Sequence, residues 1–266
     1  MQVVRSVVPR VVPRFLPRIL VLALAVAGCG REVHLGAIGD GGASLLWMAT
    51  FEPGDLSEWT GDGNGGTYME NATIAPAPTT DVARRGRYAG IATVTPVGGM
   101  PSIDYLYRVQ PSPREAYYGA WFYIPSTITV KSYISLSHFR VSTTGDGNNL
   151  MGMWDVNIIP HPDGSLVAHL YNYTTQTNTE EPIPTPVALD TWVHFEVFFR
   201  KAATATGRVA VWQDGVLVID NPNVVTAATD WVQWDAGGAS DNIMPSPAVV
   251  YVDDATISLT SVGQGP

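Results

Sequence analysis

A single cysteine in 266 residues, Cys29, leaves no disulfide framework to organise the fold. The apolar run at residues 19–27 holds nine residues, well short of the roughly 20 that a membrane-spanning helix needs. No Gly-x-Ser-x-Gly turn is present, which removes the nucleophile elbow of one large hydrolase class. The five histidines show no His-Glu-x-x-His spacing, so a helical zinc site is also excluded. No segment carries a sustained helical stripe of apolar residues.

What is there begins with a basic leader. Arg5, Arg10, Arg14 and Arg18 precede the apolar run, which stops at Val26-Ala27-Gly28-Cys29, the layout of an export signal with a small-residue cleavage site. This ending resembles the lipobox of bacterial lipoproteins, which implies removal of residues 1–28 and a lipid on Cys29, so that the mature chain meets the membrane through that lipid. Residues 29–45 are Gly-rich and read as a flexible tether, and the domain proper is expected over residues 46–262. Loss of the leader takes away four arginines and no acid, moving the formal charge from −9 to −13. A surface that acidic is a poor partner for nucleic acid, whose binding depends on Lys and Arg displacing counterions.

Eight Trp, eleven Tyr, 26 Gly and 20 Pro suit a turn-rich β protein. Short β-rich runs at residues 46–51, 68–74, 87–94, 103–109, 117–124, 132–140, 150–159, 166–173, 192–200, 208–213, 216–219 and 249–259 are separated by turn signals. Along residues 191–200, Val193, Phe195, Val197 and Phe199 alternate with Trp192, His194, Glu196 and Arg200, the period of a strand with one face buried. Asp214-Gly215 supplies the two positive-φ positions of a tight hairpin. The predicted fold is all-β, a two-sheet antiparallel jelly-roll sandwich. Residues 174–188 are expected to form a long loop, and Trp231 and Trp234 to stand on the rim within a loop-rich stretch at 230–247. Thr60-Gly-Asp-Gly-Asn64 and its repeat at 144–148 read as turns.

Three segments carry a family resemblance over residues 46–260. Tyr118-Gly-Ala-Trp-Phe-Tyr-Ile-Pro125, Asp190-Thr-Trp-Val-His-Phe-Glu-Val-Phe-Phe-Arg200 with Gly207-Arg-Val-Ala-Val-Trp-Gln-Asp-Gly215, and Val252-Asp-Asp-Ala-Thr-Ile257 resemble strands of the concanavalin A-like lectin and glucanase superfamily. That superfamily includes laminin G-type modules and the heparin lyase I-like polysaccharide lyases. The resemblance implies a concanavalin A-like jelly roll that hosts several functions. Phe51-Glu52-Pro-Gly-Asp-Leu-Ser-Glu-Trp59 also resembles the opening of jelly-roll carbohydrate-binding modules, which implies Glu52 and Asp254 as ligands of a structural Ca²⁺, a cation suited to hard oxygen donors.

The superfamily's laminarinase-type hydrolases space their carboxylates as Glu-x-Asp-x-x-Glu, and no segment here does. β-Elimination needs a base beside the uronate and a polar or cationic group to neutralise its carboxylate. His138 and Arg140 share one strand face, as do His169, Tyr171 and Tyr173, and likewise His194, Glu196 and Arg200. Where the resembled lyases carry Gln-x-His, this chain reads Leu136-Ser137-His138, which leaves Leu in the place of the carboxylate-neutralising group. The first expectation is therefore an envelope-anchored, monomeric lipoprotein whose domain binds a poly- or oligosaccharide without cleaving it, through Arg140, Asn157, His169, Tyr171, Tyr173, His194, Glu196 and Arg200. The alternative is a polysaccharide lyase using His138 or Tyr171 with Arg140, and a third reading is an adhesion module without a sugar ligand. Both sugar readings expect His138, His169 and His194 to converge on one groove.

Overall fold

The period-two runs fold as strands because each can bury one face between two sheets. In the computed structural model, residues 45–263 other than 146, 182 and 228 are described; Cys29, the leader, the tether up to residue 44 and Asp146 lie outside them. In chain order the elements are β1 (Leu45–Ala49), α1 (Ser57–Thr60), β2 (Gly65–Glu70), β3 (Ala77–Thr79), β4 (Ala89–Val94), β5 (Ser102–Pro111), β6 (Glu115–Tyr123), β7 (Thr129–Val130), β8 (Ile134–Ser142) and β9 (Leu150–Pro160). They continue with β10 (Leu166–Asn172), β11 (Thr177–Glu180), β12 (Trp192–Arg200), β13 (Gly207–Gln213), β14 (Val216–Val224), β15 (Trp231–Ser240), β16 (Ile243–Met244) and β17 (Ala248–Ser258).

One sheet runs β14-β13-β12-β6-β17-β4-β3, with β1 also beside β17; the other runs β11-β10-β9-β8-β15-β5-β2. Neighbouring strands are antiparallel throughout, as a jelly-roll sandwich requires. The core is the layer between the sheets. Phe139 of β8 stacks on Phe199 of β12 at 4.8 Å, and Tyr118 of β6 meets Trp234 of β15 at 5.7 Å. Trp59 of the short helix α1 plugs one end, 4.7 Å from Trp47 and 6.1 Å from Trp234.

The predicted hairpin forms as expected, with positive φ at Asp214 and Gly215 joining β13 to β14. The stretch at 230–247 departs from expectation: most of it is the central strand β15. Trp234 is therefore core rather than rim, and its indole N–H donates to Ser137 Oγ at 2.7 Å. Gly237 explains the disguise. It has a positive φ, and a Cβ there would stand 2.4 Å from the Asp104 carbonyl, so close strand packing demands a residue that sequence reading assigns to a loop. The expected loop at 174–188 likewise contains β11, which extends the second sheet past β10.

The turn at residues 60–64 is tied inward. Arg108 points off β5 into the interior, donates to the Trp59 carbonyl at 2.7 Å, and grips both oxygens of Asp62 at 2.7 and 2.6 Å. That grip holds the Asp62 carboxyl well below the usual carboxylate range.

Candidate functional site

The outer face of the second sheet gathers the polar residues that alternate with its core. Phe139 of β8, Trp154, Val156 and Ile158 of β9, Leu170 of β10 and Trp234 of β15 point inward. His138, Arg140, Asp155, Asn157, His169, Tyr171 and Asp235 are left on the opposite side, and Tyr173 follows just past β10. Register sets the neighbours: His138 lies opposite Asp155 on one flank and Asp235 on the other, while Asn157 lies opposite Ser135 and His169. β8 shifts register between Ser135 and Ser137 and again between Phe139 and Arg140. Leu136 is fully buried in the core, so it does not occupy the face on which the sequence comparison placed it.

A cleft of about 530 Å³ opens along β9, β10 and β11. It is lined by Tyr133, Asp155, Asn157, His169, Tyr171 and Tyr173, with Asn178 and Glu180 at the β11 side. This mixture of aromatic faces and a few convergent polar groups is what a sugar site requires.

At the back of the cleft, His138 sits between two carboxylates. Its Nε2 is 3.6 Å from Asp155 Oδ1 and its Nδ1 is 3.5 Å from Asp235 Oδ2, both beyond hydrogen-bond geometry. The Tyr173 phenol donates to Asp155 Oδ2 at 2.8 Å, and its ring stacks on His138 at 5.6 Å. Gln233 donates to Asp235 Oδ1 at 2.6 Å. Arg140 lies 3.5 Å from Asp235 and spreads its guanidinium over the Tyr68 ring at 3.7 Å. Gly152 leaves the room: a Cβ there would stand 3.0 Å from His138 Nε2.

Burial governs the protonation of this cluster, because each group loses water that the charged form needs. Desolvation, helped by the Arg140 charge, pushes the His138 imidazole down to about 3. Desolvation lifts Asp155 to about 7 against the Tyr173 hydrogen bond, and lifts Asp235 to about 7 against the Arg140 charge. Tyr173 is raised by burial and by Asp155 and keeps its proton. Several atoms here are buried without a hydrogen-bond partner: His138 Nε2, Asp155 Oδ1, Asn157 Oδ1, His169 Nδ1 and Asp235 Oδ2. Groups of this kind concentrate where a ligand or a reaction is to be met.

The remaining sequence candidates lie elsewhere. His194, Glu196 and Arg200 share a face of β12, but that face belongs to the other sheet. His194 packs on Trp121 at 5.0 Å, Glu196 accepts from Ser261 Oγ and the Val262 N–H at 2.6 and 2.8 Å, and Arg200 pairs with Glu115 at 2.9 Å. The expected convergence of three histidines is thus reduced to His138 and His169. Glu52 and Asp254 are also already partnered. Glu52 accepts the Arg87 and Tyr88 N–H groups at 2.9 and 3.0 Å, and Asp254 pairs with Arg84, whose guanidinium lies 3.7 Å from the Trp121 ring centroid. With backbone N–H groups filling the Glu52 carboxylate and the Arg84 guanidinium paired with Asp254, the pair does not fit a calcium ion. Among the described residues no group of three or more His, Cys, Asp or Glu is arranged to hold a metal. Asp235, Gln233 and Tyr133 escaped sequence reading; recognising β15 as a strand would have placed Gln233 and Asp235 beside His138.

With this geometry in view, the sequence profile described as polysaccharide lyase matches residues 51–253. The chain belongs to that family. Among solved structures, the endo-β-1,4-glucuronan lyase of the fungus Trichoderma reesei is similar with a TM-score of 0.58 at 16% identity, covering 83% of this chain and 98% of that one. The marine alginate lyase of Aplysia kurodai gives 0.56 at 10% identity, over 82% and 100%. The alginate lyase of Chlorella virus gives 0.52 at 12% identity, over 81% and 100%. No curated protein matches well enough to count as a relative. At these identities the structures show a common fold.

Two outcomes follow. Asp155 ionises near the ordinary aspartate value of 3.8 when unfolded and, with burial disfavouring its charged form, at about 7 when folded. Its contribution to stability is thus fully present below about pH 4 and is lost as the pH rises through about 7. Melting temperature should fall from about pH 5 to about pH 8, and Asp155→Asn should flatten that fall; an unchanged slope contradicts the assignment. At the other site, chelator or added calcium should leave the melting temperature of the native protein unmoved, whereas Arg84→Ala should remove about 3 kcal/mol by stranding buried carboxylates. A chelator-dependent native melt would reinstate the calcium pair.

Proposed function

We propose that this protein is a lyase that cleaves a uronate-containing polysaccharide by β-elimination, held at the bacterial cell envelope through a lipid on Cys29. The observation that carries the reading is the set of buried, unpartnered polar atoms of His138, Asp155 and Asn157 behind the aromatic cleft. The family match favours this over the binding-only expectation, and it outweighs the missing Gln, since Leu136 is a core residue.

Arg140 binds the uronate carboxylate and draws charge from it, which acidifies the neighbouring C5 proton. Neutral His138 takes that proton through Nε2; its depressed pKa keeps the base form populated through the acidic range. The C5–H electron pair becomes the C4=C5 double bond as the C4–O4 bond breaks. The Tyr171 phenol, facing the cleft, supplies the proton that the leaving O4 takes up. Tyr173 holds the His138 ring by stacking on it, and its hydroxyl is in turn anchored on Asp155.

One observation favours a second reading, in which the face binds glycan without cleaving it: His138 is 7% exposed, beneath Tyr173. The two readings separate in one assay. Incubation with a panel of uronate polymers should generate an unsaturated, ultraviolet-absorbing chain end. His138→Ala and Tyr171→Phe should each lower kcat by about a hundredfold or more. Oligosaccharide binding with no unsaturated product from the native protein would establish the second reading instead.

A further inference from the structure

Charge on the cleft face is lopsided for a polyuronate enzyme. The seven strands of the second sheet contain two cationic residues, Arg108 and Arg140. Arg108 is spent on the interior, bonded to the Trp59 carbonyl and to Asp62. Lys131, exposed in the turn before β8, is off the sheet. Arg140 is therefore the one strand cation directed to the outer face. Four carboxylates share that face: Asp155 and Asp235 flank His138, Glu180 lines the cleft opposite His169, and Glu70 accepts from Tyr68, the ring on which Arg140 lies.

Arg140 stands beside the cleft rather than in its lining, and the cleft itself is furnished for uncharged sugars. Tyr133, Tyr171 and Tyr173 offer aromatic faces, while Asn157, Asn178 and His169 offer hydroxyl partners. A homopolymer carries a carboxylate on every ring. While Arg140 holds one of them, the next along the chain meets the exposed Glu180 or Glu70, and like charges facing one another are disfavoured.

We infer that the substrate carries its uronates singly, each flanked by neutral, unsulfated sugars, so that one carboxylate reaches Arg140 beside the cleft and uncharged rings fill the cleft itself. This rests on the lyase reading and narrows its substrate class. The experiment compares kcat/KM, from ultraviolet absorbance of the unsaturated end, on an unsulfated polysaccharide with one glucuronate per neutral-sugar repeat and on a glucuronate or mannuronate homopolymer. At low salt the spaced polymer should be favoured by at least about tenfold. Added salt should narrow that ratio by screening the homopolymer's repulsion, and Glu180→Gln should narrow it too. Elimination of the homopolymer at an equal or higher rate at low salt, with a ratio indifferent to Glu180→Gln, overturns the inference and leaves the lyase reading standing. Elimination of neither polymer overturns both.

Discussion

The cost of removing water from charged groups organises this molecule's candidate site. Asp155 and Asp235 stand 3.6 and 3.5 Å from opposite edges of the His138 ring on the outer face of a sheet, all three almost shut off from solvent. A buried cluster of this composition lowers its cost by carrying as few charges as it can. Burial accordingly drives the imidazole toward its neutral form and the carboxyls toward theirs. The remaining hydrogen bonds, from Tyr173 to Asp155 and from Gln233 to Asp235, fix the orientation of the carboxyls rather than satisfy the cluster completely. An incompletely satisfied polar network destabilises a fold. Its presence beside an open cleft is what marks this face as the candidate site.

The sandwich makes the cluster affordable. On the inner side of the same strands, Phe139, Trp154 and Trp234 pack into a core that continues to Phe199 and Tyr118 of the facing sheet. Burying such aromatic side chains stabilises by roughly 2 to 3 kcal/mol each, so the strands that present the polar face are also those best anchored by their apolar one. Gly152 and Gly237 mark where that arrangement leaves no space for a side chain, one against His138 and the other against the neighbouring backbone of β5.

Period-two reading of the sequence was sufficient to recover most strands and to say which residues on a strand share a face. His138 with Arg140, and His169 with Tyr171 and Tyr173, are correctly grouped that way. It carries no information about which sheet a strand joins, since that depends on pairing between segments far apart in the chain. His194, Glu196 and Arg200 alternate just as cleanly and end on the opposite side of the molecule. β15 was illegible for a different reason: its Asp-Ala-Gly-Gly-Ala-Ser ending looks like a turn, yet Gly237 is there because the β5 backbone comes too close for a Cβ and Gly238 because the Val94 side chain does. The motif at Glu52 and Asp254 resembled a calcium pair, and nothing in the pattern disclosed that Arg84, from a connecting segment, would pair with Asp254.

A scarcity of cations on this face underlies the proposal that the protein meets one uronate carboxylate at a time. The proposed elimination depends on His138 remaining an unprotonated base in that setting. Nitrogen-15 NMR titration of its imidazole in the native protein tests this most directly: the account predicts a neutral ring down to about pH 5, well below the usual histidine midpoint near 6.5. A ring that takes up its proton at or above that midpoint would contradict it.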